Sequence, residues 1–131
     1  MSICNICPRA CKIERKRSAS DRGTVGYCAS GMLPVISRAA LHHWEEPCIA
    51  GTRGAGTVFF AGCNLSCVYC QNYEISEMRK GIEVSVDRLK GIYQELIRQG
   101  AHNIDLVTPT HYTHAIFQSL RDPLPVPVVY N

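Results

Sequence analysis

Three cysteines that directly follow one short apolar segment constrain this chain more than any other feature. Residues 57–61 read Thr-Val-Phe-Phe-Ala between two glycines, a composition typical of a strand buried on both faces. Cys63, Cys67 and Cys70 follow at once with C-x3-C-x2-C spacing. A loop this short can bring three thiolates to the corners of one inorganic cube. The pattern therefore predicts a 4Fe-4S cluster whose fourth iron has no protein ligand.

Helix and strand patterns alternate after this loop. Ser85 is a suitable N-cap for a helix that Gly100 would end. Between them, apolar residues recur at helical spacing: Leu89, Ile92, Tyr93, Leu96 and Ile97. Residues 104–107 and 126–130 are predicted to be strands, with a shorter helix over 114–120 between them.

The resulting order, β-α-β-α-β, predicts an α/β fold. Right-handed crossovers would make the three strands parallel and place both helices on one side. Ligands of such folds bind at the carboxyl ends of the strands. These ends are Gly62-Cys63, Thr108-Pro109-Thr110 and Asn131. The cluster loop is thus expected at the ligand-binding edge of the sheet.

Residues 1–50 are predicted to form a Cys-rich, loop-rich N-terminal segment, separate from the α/β domain at 51–131. Periodicity is weak there except over residues 33–41. Four of its cysteines could supply the thiolates of a closed zinc site: Cys4, Cys7, Cys11 and Cys28. A second iron-sulfur cluster and unligated thiols are the alternatives. Cys48 is unassigned and could pack as a small hydrophobe.

Composition and charge limit the cellular compartment and the class of partner that we expect. No apolar stretch approaches the roughly 18 residues of a membrane span, and the start lacks the pattern of a signal peptide, so we expect a cytoplasmic protein. In a reducing compartment, eight cysteines indicate metal binding more than disulfides. The net charge of +3 does not suggest nucleic-acid binding. Six basic residues are interpreted as a solvated loop, in preference to a nucleic-acid patch: Arg9, Lys12, Arg15, Lys16, Arg17 and Arg22.

The cluster loop and its surroundings resemble the radical SAM (S-adenosylmethionine) superfamily. The resemblance is carried by residues 56–64, Gly-Thr-Val-Phe-Phe-Ala-Gly-Cys-Asn, and by 69–72, Tyr-Cys-Gln-Asn. Both look most like proteins related to pyruvate formate-lyase activating enzymes. Residues 42–47, His-His-Trp-Glu-Glu-Pro, and 108–111, Thr-Pro-Thr-His, fit the same branch.

This resemblance implies a mechanism. Cys63, Cys67 and Cys70 would hold the cluster, while the amino and carboxylate groups of S-adenosylmethionine chelate its fourth iron. An external electron donor would supply the electron for cleavage to methionine and a 5'-deoxyadenosyl radical. That radical would take hydrogen from a small molecule or from a glycyl radical enzyme as protein substrate. Tyr69 would lie near the adenine, and no further catalytic residue is predicted.

Two departures from the superfamily pattern bear on function. Thr108-Pro109-Thr110 replaces the usual Gly-Gly-Glu, so Thr108 and Thr110 are candidate acceptors for the methionyl ammonium. The alternative is a plain strand-to-helix turn capped by Thr110 or Thr113. The superfamily core resembles a six-stranded partial (βα) barrel, whereas this sequence ends at the third strand. We therefore expect the first half of a radical SAM barrel over 51–131.

Two other functions are consistent with the sequence. The chain could be a truncated, non-catalytic metal-binding module that keeps a 4Fe-4S cluster or zinc. Nucleic-acid modification guided by the basic N-terminal segment is the remaining alternative.

Overall fold

The structure, a computed structural model, describes residues 3–18 and 26–131. Arg22 of the basic segment lies outside this part of the chain. The helices and strands are β1 (Val35–His42), α1 (Pro47–Ala50), β2 (Ala55–Phe60), α2 (Tyr73–Ser76), β3 (Ile82–Glu83), α3 (Val86–Arg98), β4 (Ile104–Val107), α4 (Thr113–Ser119) and β5 (Val128–Tyr130). A 3-10 turn over Thr110–Tyr112 precedes α4.

The strands form one mixed sheet in the order β3-β1-β2-β4-β5. Strands β2, β4 and β5 are parallel, and Val58, Leu106 and Tyr130 share one row across them. Strand β1 pairs antiparallel with both β2 and β3. The parallel strands and the helices α3 and α4 follow the predicted β-α-β-α-β order. That this sheet is half of a (βα) barrel stays a prediction.

Strand β1 was not predicted. Residues 35–42 were assigned to a loop-rich segment, yet they extend the sheet beside β2, with Ala39 opposite Val58 and His42 opposite Ala55. Periodicity was recognised over residues 33–41, but Ser37 and Arg38 interrupt the apolar residues, and no strand was assigned there. The division of the chain at residue 50 stays a prediction, although β1 and β2 lie on either side of it in one sheet.

Helix α3 begins and ends as predicted. The Ser85 side chain accepts a hydrogen bond from the Arg88 amide at 3.1 Å, which satisfies one of the free N–H groups of the first turn. Gly100, with φ of +105°, follows the last turn, where its amide bonds to the Ile97 carbonyl. The apolar stripe of α3 buries Leu89, Tyr93 and Leu96.

The core lies between the sheet and the two longer helices. Helices α3 and α4 pack against each other, and Tyr93 and Ile116 join the same cluster as Phe60 and Leu106. Burial of such side chains supplies about 1.5–3 kcal/mol each. The longest helix, α3, has 13 residues, and no helix in the described part of the chain could cross a membrane. This core holds β2 and β4 rigidly, so their carboxyl ends can position a site.

Candidate metal centre

The cysteine loop leaves β2 through a glycine that the packing requires. Gly62 has φ of +81°, a conformation that residues with a side chain rarely adopt. A Cβ there would lie 2.9 Å from Ser30 Oγ and 3.1 Å from the Cys28 carbonyl oxygen. The start of the cluster loop is therefore pressed against the Cys-rich N-terminal segment.

Polar groups from the loop and from α2 approach two of the three predicted cluster ligands. The Leu65 amide donates to Cys63 Sγ at 3.3 Å, and Cys70 Sγ lies 3.4 Å from Ser76 Oγ. Cys63 and Cys70 are half-buried, whereas Cys67 is exposed. A turn between Cys67 and Cys70, closed by a backbone bond of 3.2 Å, keeps these two residues together. Three thiols on one short loop are the ligand type and number that a 4Fe-4S cluster with one open iron requires, so the residues present fit a cluster.

The four N-terminal cysteines line a single cavity. Cys4, Cys7 and Cys11 come from residues 3–14, whose ends meet in a bridge between Ile3 and Glu14, and Cys28 comes from a later turn. Asn64 of the cluster loop lines the same cavity. In the described residues, no three Cys, His, Asp or Glu side chains are arranged to hold a metal ion as they stand. Both cysteine groups therefore remain predicted sites.

Arg9 ties the two cysteine groups together. Its guanidinium donates to the Asn64 carbonyl at 2.9 Å and to the Leu65 carbonyl at 3.2 Å, and it lies 3.8 Å over the Tyr27 ring. Arg9 is exposed, as the interpretation of the basic residues as a solvated loop expected, but its guanidinium is also bound to the cluster loop. Its position in the sequence contained no signal of this contact, because the partner carbonyls lie more than fifty residues away.

Arg15 makes a second link, to the turn that follows β4. It donates to the His111 carbonyl at 2.6 Å and to the Ser30 carbonyl at 3.2 Å. Its guanidinium also bonds to the carbonyl of Gly31. The solvated-loop interpretation is therefore wrong for Arg15, which is half-buried and whose three acceptors hold the side chain against the fold.

His111 connects β2 with this turn. It is 1% exposed, and its Nε2 lies 3.0 Å from the Ala61 carbonyl oxygen, so Nε2 carries the proton. Burial, with a smaller contribution from the Arg15 charge, lowers the pKa of His111 to about 4, against the opposing hydrogen bond to Ala61. The imidazole is therefore neutral at pH 7. It fixes the distance between the ends of β2 and β4.

The residues predicted to contact S-adenosylmethionine lie at or beside the carboxyl ends of β2 and β4. Tyr69 is 93% exposed on the cluster loop. Thr108 follows β4 with φ of +57°, and its amide bonds to the Asn131 carbonyl at 2.9 Å. The Thr110 hydroxyl accepts a bond from Tyr130 Oη at 3.0 Å. Neither Thr110 nor Thr113 caps α4 with its side chain, so the cap in that alternative is wrong, whereas the choice between a plain turn and an ammonium-binding site stays a prediction.

Cys48 lies apart from both groups. It is in the short helix α1 and is exposed, so the expectation that it could pack as a small hydrophobe is wrong. His42 ends β1, and its Nε2 lies 3.8 Å from Glu45 Oε1. Nothing in the described structure connects these residues with the cluster loop.

Comparison with known proteins supports an iron-sulfur family for this chain. The family model described as the 4Fe-4S single cluster domain matches residues 50–116. This match contains Cys63, Cys67 and Cys70 but none of the four N-terminal cysteines. An uncharacterised protein of Methanocaldococcus jannaschii is 33% identical over 75 residues, which is 57% of this chain and 19% of that relative. The match thus spans about a fifth of the relative's length. No solved structure matches the chain significantly.

Proposed function

Because the chain belongs to the family of 4Fe-4S single cluster domains, we propose that it is a radical SAM protein that cleaves S-adenosylmethionine reductively. Cys63, Cys67 and Cys70 would hold one cluster. This family occurs in radical SAM-type proteins, which supports the proposal.

The placement of the three cysteines carries this proposal. All three lie on one loop that begins directly after β2, at the carboxyl end of three parallel strands. Ligands of parallel α/β folds bind at that edge. Three thiolates also leave one iron of a 4Fe-4S cube without a protein ligand. The loop therefore offers both the location and the vacant coordination position that a substrate-binding cluster needs.

When bound, a reduced cluster of this kind supplies one electron that breaks the C5'–S bond of the sulfonium, giving methionine and a 5'-deoxyadenosyl radical, which takes a hydrogen atom from the substrate. The chain's own residues would orient the substrate and exclude water. The exposed Tyr69 ring offers a face to the adenine. Thr108 offers a hydroxyl for which no partner is found among the described residues, whereas the Thr110 hydroxyl already bonds to Tyr130. Thr108 is therefore the better candidate acceptor for the methionyl ammonium.

The branch of the superfamily and the interpretation of the sheet as part of a barrel are also part of the proposal. We place the chain in the branch related to pyruvate formate-lyase activating enzymes, and we interpret β2, β4 and β5 as the first half of a radical SAM barrel. The hydrogen donor would then be a glycyl radical enzyme or a small molecule, and a separate protein would donate the electron.

Formation of 5'-deoxyadenosine tests the proposal. The protein is reconstituted anaerobically with iron and sulfide, then incubated with S-adenosylmethionine and dithionite, and the nucleoside is measured by mass spectrometry. Wild type and Cys48→Ala, a control at an exposed thiol outside both groups, should form the product, whereas Cys63→Ala should form none. Equal product from Cys63→Ala would refute the assignment. A cluster that yields no nucleoside would indicate a non-catalytic metal-binding module instead.

A further inference from the structure

We propose that Cys4, Cys7, Cys11 and Cys28 bind a single structural zinc ion, and that this site clamps the N-terminal segment onto the cluster loop. The cavity that these four residues line is the first reason. Cys11 and Cys28 are far apart in sequence, yet both face this cavity together with Asn64. Four thiolates are the ligand set of a closed structural zinc site.

The backbone around Cys11 and Cys28 is shaped to bring them close. The Tyr27 amide donates to Cys11 Sγ at 3.4 Å, so the sulfur of Cys11 faces the turn that carries Cys28. A Cβ at Gly26 would lie 3.3 Å from the same sulfur, so the missing side chain leaves room for Cys11 beside the turn. A bond from the Ala29 amide to the Gly26 carbonyl closes that turn around Cys28.

The charges that face the cavity suit an anionic centre. A zinc ion with four thiolates carries a net charge of about −2. Arg9 and Arg15 line the cavity, and no Asp or Glu does so among the described residues. The two guanidinium groups would offset the charge of the centre while their donors remain bonded to backbone carbonyls.

Four cysteines are the ligand set of a closed zinc site, and they are also the ligand set of a second iron-sulfur cluster. We assign zinc because residues 3–14 form a short loop without a core of its own, which a single structural ion is suited to hold. The two assignments predict different zinc and iron contents of the protein, which elemental analysis measures.

Zinc binding requires the sulfurs to move inward. No three of them are arranged to hold a metal ion in the described structure, and zinc–sulfur bonds are about 2.3 Å long. Only Cys28 is buried, while Cys4, Cys7 and Cys11 are half-buried on a segment with no helix and only one isolated bridge. These three can therefore turn toward Cys28. A loop segment without a core of its own needs such a staple.

The proposed zinc site would affect the cluster loop through two arginines of the segment that it holds. Arg9 holds the carbonyls of Asn64 and Leu65, and Arg15 holds the carbonyl of His111. Zinc would fix the segment that carries both arginines, so it would set the conformation of the loop between Cys63 and Cys70 without taking part in the chemistry. The zinc assignment itself does not depend on the proposed function.

Metal analysis of the purified protein tests this inference. Zinc and iron are counted by elemental mass spectrometry in protein purified anaerobically from cells grown with both metals. We expect about one zinc per chain in wild type. Cys28→Ser and Cys7→Ser should lose it, Cys48→Ser should keep it, and Cys63→Ala should lose iron but keep zinc.

Cobalt titration of the wild type gives a readout that does not require a folded variant. Co²⁺ in the site should show the visible bands of tetrahedral thiolate coordination, which one equivalent of zinc should abolish. The inference is overturned if zinc is absent from wild type, or if Cys7→Ser and Cys28→Ser both retain it. About eight irons per chain in reconstituted wild type, falling to about four in Cys7→Ser, would identify a second cluster instead. The zinc count of wild type does not depend on whether the Cys63 loop binds iron.

Discussion

Asp105 lies in the middle of β4 with a carboxyl group that is out of place in a core. It is fully buried, and neither of its oxygens makes a hydrogen bond of good geometry in the described structure. Burial, followed by repulsion from Glu45, raises the pKa of Asp105, against the smaller opposing effects of the Asn131 side chain and of His42. The folded state therefore holds the proton of the Asp105 carboxyl group more tightly than the unfolded state does. The free energy of unfolding should fall as pH rises from 3.8 through the raised pKa.

Asp105→Asn should therefore stabilise the protein at neutral pH. The gain is about 1.4 kcal/mol for each unit by which the native pKa is raised, and it should vanish in acid. Urea denaturation at several pH values measures both effects. Asp122→Asn is the control, since Asp122 is exposed, pairs with Lys90 and has a lowered pKa. A variant Asp105→Asn no more stable than wild type at pH 7 would contradict this account.

Arg9→Gln should loosen the cluster loop. The substitution removes the bonds to the Asn64 and Leu65 carbonyls. Loss of about 1 kcal/mol of loop stability corresponds to about fivefold faster loss of iron to a chelator. The release rate is followed by visible absorbance of the reconstituted protein. Arg53→Gln, at an exposed turn, should release iron at the wild-type rate, and equal rates for both variants would show that the Arg9 contact is unimportant.

Residue patterns could identify thiols but not the contacts around them. The spacing of Cys63, Cys67 and Cys70 is local, so it is visible in the sequence. Arg9 reaches a carbonyl 55 residues away, and any residue type supplies a carbonyl there. Such a contact depends on how two distant segments pack, which no local pattern encodes.

At the scale of elements, local signals again separate the correct predictions from the missed strand. Helix α3 was predicted well because Ser85, Gly100 and the apolar stripe all lie within the helix or beside it. Strand β1 depends on a partner: its residues become a strand because β2 pairs with one edge and β3 with the other. Its sequence alone does not show that pairing.

Ser85→Ala should destabilise α3. It removes the side-chain acceptor of the Arg88 amide, at a cost of about 1 kcal/mol. Ser85→Asp is the matched variant, because aspartate also accepts this bond and should retain the stability. Thermal unfolding compares the three proteins, and equal midpoints for Ser85→Ala and wild type would contradict the cap.

Two glycines should respond to alanine in opposite ways. Gly91 lies inside α3, where the nearest atom to a new Cβ is Arg88 Nη1 at 3.5 Å, so Gly91→Ala should stabilise by about 1 kcal/mol. At Gly56 the new Cβ would lie 2.9 Å from Ala101 Cβ and 3.0 Å from the Asn103 carbonyl oxygen. Gly56→Ala should therefore destabilise. Urea denaturation of both variants checks the signs, and a shared sign would contradict the packing between β2 and the loop before β4.

At the scale of the whole molecule, the N-terminal segment and the parallel strands meet at one edge. Cys28 and Ser30 press on Gly62, and His111 joins the ends of β2 and β4. The alternating pattern predicted which strands would end at this edge. It could not predict that the Cys-rich segment packs there, because residues 3–18 and 26–34 contain no helix or extended strand that would signal their position.

The central claim is a single cluster with three cysteine ligands and one iron open to S-adenosylmethionine. Electron paramagnetic resonance of the reduced, reconstituted protein tests it most directly, with spectra recorded before and after S-adenosylmethionine is added. We expect the signal of one reduced 4Fe-4S cluster, a change in its g values on addition, and no such signal in Cys63→Ala, Cys67→Ala or Cys70→Ala. A spectrum that S-adenosylmethionine leaves unchanged, or a cluster that survives all three substitutions, would contradict the account.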